Sequence, residues 1–540
     1  MGSYLNPGAD WFKLSLASEI YVDKTNLISY TNKVFCSQQR FICISRPRRF
    51  GKSMAVGMLA AYYSRDIESK ELFEPFKISK SPSFESHLNE CNVIYLDMQE
   101  FLTKAGVALA DVSQSSKIKD PALVKAMIRL IEELVLDELI DEYPDLKYKN
   151  AKSLNETLKD IFNCTRIPFV FLVDEWDCIF RTSDIGDDGQ KDYLDYLRLL
   201  FKDRAYVGLA YMTGILPIKK YGRHSALNMF KEFSMTAPLN LAEYVGFTDS
   251  EVRSLCERHG MSFEEIEKWY DGYSFPSAEH VYNPLAVVSA LTDKCLMNYW
   301  SATETFEALK DYIVLGFDGL KDTVCRLMGG GSAKIRIGGF QNDMSTFSSA
   351  DDVLTLLMHL GYLNYNSSTK EASIPNDEIM SEFVTSIRSA GWSGVIKAVE
   401  ASQALLKATW RKDAATVANA VGAVHAETSI LTYNDENALS YVVSLAYYAA
   451  REYYTITREM PAGEGFADLV LIPSPAHQDK PAMIIELKWN KTAQTAIERI
   501  KEKNYPQALK AYAGNLLIVG INYDKVAKIH SCVIEELQAE

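Results

Sequence analysis

What this chain lacks narrows its chemistry first. Its nine cysteines stand singly, an odd number with no C-x-x-C spacing, which argues for reduced thiols and against a structural zinc. The eight histidines are equally dispersed, none at ligand spacing to another. No run of about eighteen apolar residues offers a membrane span. The opening Met1–Pro7 has no basic stretch leading into an apolar one, so no secretory signal is expected and a cytoplasmic setting is. A positive balance is missing too. The net charge of −14 does not advertise a nucleic-acid binder, although local clusters rather than totals set the field at a groove. With 47% hydrophobic and 24% charged residues and no long low-complexity tract, the composition is that of a globular protein. The 540 residues exceed a single core, and about two to four domains are expected.

What is present begins with Ser45-Arg-Pro-Arg-Arg-Phe-Gly-Lys-Ser53, which follows the apolar run Phe41–Ile44 and opens a helix expected over Lys52 to Tyr63. Strand, tight glycine turn, Lys-Ser and helix are the parts of a phosphate-binding loop. Free backbone N–H groups at the helix start cradle phosphates, the lysine adds a point charge and the serine hydroxyl can ligate Mg²⁺. The usual first glycine is replaced by Arg46. A second apolar run, Asn92 to Asp97, stops on an acid, and a third, Pro168 to Val173, stops on Asp174-Glu175. At the carboxyl end of a buried strand, Asp174 can hold the Mg²⁺ shell beside Ser53, and Glu175 can polarise the attacking water. A further strand, Tyr206 to Met212, ends at Thr213, where a hydroxyl can sense the γ-phosphate or simply mark a strand end. Strands alternate with helices through about residue 240, which gives an α/β doubly wound parallel sheet.

Seven motifs then follow in order: Ile20-Tyr-Val-Asp-Lys-Thr25, the loop 46–53, Val173-Asp-Glu175, Thr213-Gly-Ile215, Tyr244-Val-Gly-Phe-Thr248, Trp269-Tyr-Asp-Gly-Tyr273 and Val281-Tyr-Asn-Pro284. Over about residues 1 to 300 this series resembles the predicted AAA-ATPase-like proteins of bacteria and some microbial eukaryotes. The resemblance implies that Arg46 is a trait of the loop and not decay, and that ATP and Mg²⁺ are its ligands. Arg46, Arg49, Phe50, Gly51, Lys52, Ser53, Asp174 and Thr213 are then the nucleotide-site residues, with Glu175 catalytic. The P-loop domain is assigned to 1–240 and a helical lid to 241–300. Tyr270-Asp-Gly-Tyr273 reads as a tight turn with packing aromatics.

A helical connector is expected over 301–427. Gly329-Gly-Gly-Ser332 reads as a flexible turn. A helix at Asp351 to His359, followed by a hairpin from Gly361-Tyr-Leu-Asn-Tyr365 and Glu371-Ala-Ser-Ile374, fits either a winged-helix module or a plain spacer, and no basic helix precedes it to favour the first.

The region 428–540 carries a second pattern. Gly465-Phe-Ala-Asp468 runs into an apolar strand, and Ala482-Met-Ile-Ile-Glu486-Leu-Lys488 forms the next. Side chains alternate along a strand, so Glu486 and Lys488 share a face, and a hairpin brings Asp468 to the same end. Two carboxylates can bind one or two Mg²⁺ or Mn²⁺ ions that polarise a phosphodiester, while the lysine stabilises the charge that builds there. The spacing D-x17-E-x-K on two apolar strands, with an amphipathic helix after it, resembles the PD-(D/E)xK nuclease superfamily. That resemblance maps Asp468, Glu486 and Lys488 onto a catalytic triad and implies a metal-supporting role for Glu436, at the start of the helix before the strands, where an acid equally serves the helix dipole. It also offers Tyr505 and Gln507 as contacts to the scissile phosphate or as a lock on the following helix. Ala467 stands where the superfamily has its proline, and Phe466 where relatives often carry a polar residue. Lys488 to Lys510 holds six basic residues against two acids. The expectation is an ATP-controlled, metal-dependent nuclease acting on DNA rather than RNA, in defence against foreign DNA. The alternative is an ATP-driven oligomerising switch or remodelling ATPase whose last domain only binds nucleic acid or a partner.

Overall fold

Short apolar runs bounded by polar residues form strands covered on both faces. The computed structural model bears this out for β1 (Phe41–Ser45), β2 (Asn92–Asp97), β3 (Phe169–Asp174) and β4 (Val207–Gly214), in which every residue but Asp97 is buried. It describes residues 2–537 apart from 114–120, 183–184, 219–226, 301–305, 345, 428–435, 463–464 and 513. The contacts divide the chain into two units, Met1–Ala302 with Lys334–Glu378, and Thr303–Ala333 with Ile379–Glu540.

In the first unit, β1 to β4 and β5 (Lys231–Phe233) build a parallel sheet in the order β2-β3-β4-β1-β5. Because β1 lies between β4 and β5, the chain leaving β1 must cross to the far side of the sheet to make β2. That reversal opens a crevice at the carboxyl ends of the strands, the place where such sheets take ligands. The helix Lys52–Tyr63 starts in this crevice and is buried along almost its whole length, as expected of a helix that is apolar all round.

A second layer follows. The helices Asp249–His259, Phe263–Tyr270 and Pro284–Asp293 enclose a core that includes Val252, Leu255, Ile266, Tyr270, Val287 and Leu291. A small sheet of β6 (Phe247–Thr248), β7 (Tyr273–Phe275) and β8 (Ala278–Tyr282) edges it in the order β6-β8-β7. The first of these helices is fixed by a capping box between Thr248 and Glu251. Glu251 also pairs with Lys24 at 2.5 Å, and Lys24 Nζ reaches the Glu243 carbonyl at 2.7 Å. The N-terminal motif 20–25 therefore ties the start of the chain to this helical layer.

The segment 301–427, read from sequence as one connector, is shared between the units. After β9 (Ala333–Lys334), the helix Ala350–Leu360 and the hairpin of β10 (Asn364–Asn366) and β11 (Glu371–Ser373) belong to the first unit. They dock on the Tyr270–Tyr273 segment. The Tyr273 hydroxyl donates to the Gly361 carbonyl at 2.6 Å, Asn376 Nδ2 to the Asp271 carbonyl at 2.6 Å, and the Ser274 N–H to Asn364 Oδ1 at 3.0 Å. Gly272, at φ +111°, packs so closely that a Cβ would collide with the Pro375 carbonyl. The tight turn with packing aromatics is thus also a docking point, and its glycine is required by backbone approach.

The second unit is built on a five-stranded sheet, β12 (Tyr454–Ala462), β13 (Gly465–Pro473), β14 (Ala482–Trp489), β15 (Leu516–Asp524) and β16 (Ile529–Leu537), in that spatial order. Only β14 and β15 run parallel, and the helix Ala493–Glu502 makes the crossover between them. That helix lies hard against β15, where a Cβ on Gly520 would collide with the Ala493 carbonyl. The triglycine at 329–331, expected to turn, does so in close contact with a neighbour. Gly329 and Gly331 lie against Tyr441, and a Cβ on either would overlap it.

Candidate active sites

The register of the first sheet brings the sequence-predicted nucleotide residues together. Ser45 pairs with Gly214, Ile44 with Thr213, and Asp97 with Asp174, so the ends of β1, β2, β3 and β4 meet at one edge of the crevice. The loop from β1 to its helix turns through Arg49 at φ +66° and Gly51 at φ +86°, and its last step delivers Lys52 and Ser53 to the first helical turn. Lys52 is 5% exposed, and its Nζ donates to the carbonyls of Arg46 at 3.1 Å and Pro47 at 2.9 Å. Burial lowers its pKa, against the pull of Glu175 and Asp174.

Asp174 gathers the other polar groups. Ser53 Oγ donates to its Oδ2 at 2.5 Å, the Thr213 hydroxyl donates to its Oδ1, and the Glu175 N–H reaches the same Oδ1 at 3.0 Å. A hydroxyl and a carboxylate side by side are hard oxygen donors. Mg²⁺ on a nucleotide uses one or two such protein ligands and otherwise keeps water and phosphate oxygens, so Ser53 and Asp174 fit the ion. Glu175 follows at φ +51° and is turned onto Arg181, which also lies 3.3 Å from Asp177. Asp177 is fully buried and accepts the N–H groups of Ile215 at 3.0 Å and Leu216 at 2.7 Å. Burial raises the Glu175 pKa, while Arg181 and then Lys52 oppose the shift.

Two loop residues are placed differently from the expectation. Arg46 is fully buried, and its Nη1 donates to the carbonyls of Ser45 at 2.9 Å and Phe233 at 3.0 Å, with the guanidinium over the Phe275 ring. Its side chain therefore braces β1 and β5 instead of facing phosphate. Phe50 is buried edge-on against Tyr273, at 5.4 Å between ring centroids, which leaves only its backbone for a ligand. Arg49 is exposed.

The second constellation forms where the β13–β14 ladder ends. The last pair is Leu469 with Ile485, and one step beyond it Asp468 Oδ2 accepts the Leu487 N–H at 2.7 Å. This bond sets Asp468 opposite Glu486. Lys488, 2% exposed, donates to Glu486 Oε1 at 2.8 Å and to the Leu487 carbonyl at 2.6 Å. Glu486 is fully buried, and its Oε2 has no hydrogen-bond partner among the described residues. An orphaned buried carboxylate oxygen is costly, and a divalent cation beside Asp468 is the partner that fits it. Burial, and then Asp468, push the Glu486 pKa up to about 7.

Tyr505 is fully buried, its hydroxyl donating to the Phe466 carbonyl at 2.9 Å, so it locks the helix region to β13. Phe466 itself is 59% exposed beside Asp468. Glu436 is the first residue of the helix Glu436–Ala446, but its side chain and that of Gln507 lie outside the described residues. Sequence reasoning missed Asp177, Arg181 and Arg499. The first two follow Glu175 by two and six residues, so their acid-and-arginine spacing was the available signal. Arg499 sits on the amphipathic helix already noted, and its Nε lies 2.9 Å from Glu486 Oε1.

These geometries define an ATPase-like sheet and a nuclease-like site in one chain. In agreement with them, residues 9–222 match the family model "Predicted AAA-ATPase", and residues 435–531 match the model of the PD-(D/E)XK nuclease superfamily. Among curated proteins, the chain is similar to an uncharacterized protein of the vnfD 5′ region of Azotobacter chroococcum mcd 1, at 24% identity over 299 residues, or 54% of this chain. It spans about half, 52%, of that relative's length. Among solved structures, the Aeropyrum pernix ORC2 protein in ADPNP–ADP complexes is matched at 10% identity and a TM-score of 0.30, over 72% of this chain and 99% of that one. The ORC1 protein of the same organism, in complex with DNA, is matched at 10% identity and a TM-score of 0.24, over 71% and 98%. Among the described residues no helix is long and apolar enough to cross a membrane.

Proposed function

We propose that the chain is a nuclease controlled by ATP: the first unit binds and hydrolyses ATP with Mg²⁺, and the second cleaves phosphodiester bonds of nucleic acid, DNA in preference to RNA. The observation that carries this reading is the unpartnered Oε2 of Glu486, buried opposite Asp468 and beside Lys488. Asp468 and Glu486 would hold Mg²⁺ or Mn²⁺, which when bound supplies Lewis-acid polarisation of the phosphodiester and a more acidic water. Lys488 is held by hydrogen bonds to Glu486 Oε1 and the Leu487 carbonyl, so its charge is already aimed where negative charge builds, with little reorganisation needed. In the first unit Ser53 and Asp174 would hold the nucleotide's Mg²⁺, Lys52 would meet the β- and γ-phosphates, Thr213 would sense the γ-phosphate and Glu175 would orient the attacking water. Defence against foreign DNA, in the cytoplasm, is the setting this pairing of domains suggests.

The test uses the purified full chain with plasmid, linear and single-stranded substrates, with and without Mg²⁺ or Mn²⁺ and ATP. Metal-dependent cutting is expected, lost in Asp468→Ala and in Lys488→Ala with the fold retained. Undiminished cutting by either variant overturns the assignment.

A further inference from the structure

Glu486 Oε1 is shared by two cations, and only one of them is enclosed. Lys488 is buried and donates to Oε1 and the Leu487 carbonyl. Arg499 arrives from the helix Ala493–Glu502 with a side chain 47% exposed. Its Nε lies 2.9 Å from the same Oε1 and 3.4 Å from the Tyr505 hydroxyl. Among the described residues, these are the bonds Arg499 makes, and its two terminal amino groups have no protein partner. A guanidinium held by its Nε presents outward a planar pair of N–H donors, the arrangement that takes two oxygens of a phosphate at once. Just after that helix, Tyr505 is fully buried with its hydroxyl on the Phe466 carbonyl, which anchors the segment beside Arg499.

We propose that Arg499 grips the scissile phosphate with its outer amino groups, and that its Nε competes with the metal ion for Glu486. The inference rests on the nuclease reading of Asp468, Glu486 and Lys488. With Glu486 engaged by a cation, its Oε1 would offer less charge to Arg499 Nε, while Lys488, enclosed and hydrogen-bonded to Oε1 and the Leu487 carbonyl, would stay in place. The phosphate then replaces the carboxylate as the anion that Arg499 pairs with. In this scheme Arg499 opposes metal binding before substrate arrives and holds substrate afterwards. A purely structural ion pair would do neither.

Mn²⁺ titration of the full chain by calorimetry, run beside cleavage kinetics, separates these roles. Arg499→Met is expected to bind Mn²⁺ several-fold more tightly and yet to cleave about a hundredfold more slowly at saturating Mn²⁺. Arg499→Lys keeps the charge without the fork, so its Mn²⁺ affinity should stay at the wild-type value while KM for nucleic acid rises about tenfold. Unchanged Mn²⁺ affinity in Arg499→Met overturns the competition, and wild-type cleavage by that variant overturns the phosphate contact. A wild-type protein that neither binds Mn²⁺ nor cuts would instead sink the nuclease reading itself, a result distinguishable from both.

Discussion

The carboxylate of Glu175 is ion-paired to Arg181, and Arg181 is in turn held by Asp177, which no solvent reaches. The residue proposed to orient water for ATP hydrolysis is therefore turned onto a guanidinium six positions along the chain. Arg181 also opposes the upward push that burial exerts on the Glu175 pKa.

Replacing Arg181 removes that opposition. In Arg181→Ala the Glu175 carboxyl should titrate at higher pH, and the acid limb of the ATPase pH profile should move upward with it. Stability should fall by about 3–5 kcal/mol, because Asp177 loses its cation in a buried site. Steady-state ATPase rates across pH, with denaturant unfolding, check both.

Lys52 holds the carbonyls of Arg46 and Pro47 within the loop. A charge-assisted bond contributes about 1.5–3 kcal/mol, so Lys52→Ala should weaken ATP binding by about 10- to 100-fold and lower turnover. Titration with a fluorescent ATP analogue measures the first effect. Normal hydrolysis by this variant would remove Lys52 from its role.

Gly272 combines φ +111° with close approach to the Pro375 carbonyl. Gly272→Ala should destabilise the first unit by at least about 1–3 kcal/mol from backbone strain alone, more once the collision is included. Thermal unfolding monitored with a nucleotide-site probe would show it, and an unchanged midpoint would contradict the docking described for Tyr270–Tyr273.

Glu486 gives the second unit a pH signature. Its folded pKa, about 7, lies above the ordinary value of 4.5, so the folded state binds the extra proton. Stability from this group is greatest below about pH 4.5 and declines as pH rises to about 7. Metal binding, which needs the carboxylate, runs the other way and should weaken as pH falls below 7. Metal-free Glu486→Gln should thus gain stability over the wild type at pH 8 but not at pH 4.5. Unfolding midpoints at the two pH values test the sign.

Much of both sites was legible because the signals are local. An apolar run that stops on acids, as at Asp174-Glu175, can be read without knowing its neighbours, and alternation along a strand puts Glu486 and Lys488 on one face. The losses share a physical cause, which is that long-range packing decides direction and purpose. Arg46 lies in a phosphate-loop sequence, but its side chain turns to the Phe233 carbonyl, nearly two hundred residues away. The close packing of Gly329 and Gly331 on Tyr441 had no local signal, since glycine serves flexible turns and tight packing equally well. Arg499 is one of six basic residues between Lys488 and Lys510, and only the fold places it beside Glu486.

The division of residues 301–378 between the units has a practical side. The chain passes from one unit to the other at 302/303, 333/334 and 378/379, so no single cut releases either intact. A fragment ending near residue 300 lacks the helix and hairpin that dock on Gly272 and Tyr273, and one starting near 428 lacks the triglycine packed on Tyr441. Separating the two chemistries calls for point substitutions at Lys52 and Asp468 within the whole chain, where truncation would confuse a lost activity with a broken core.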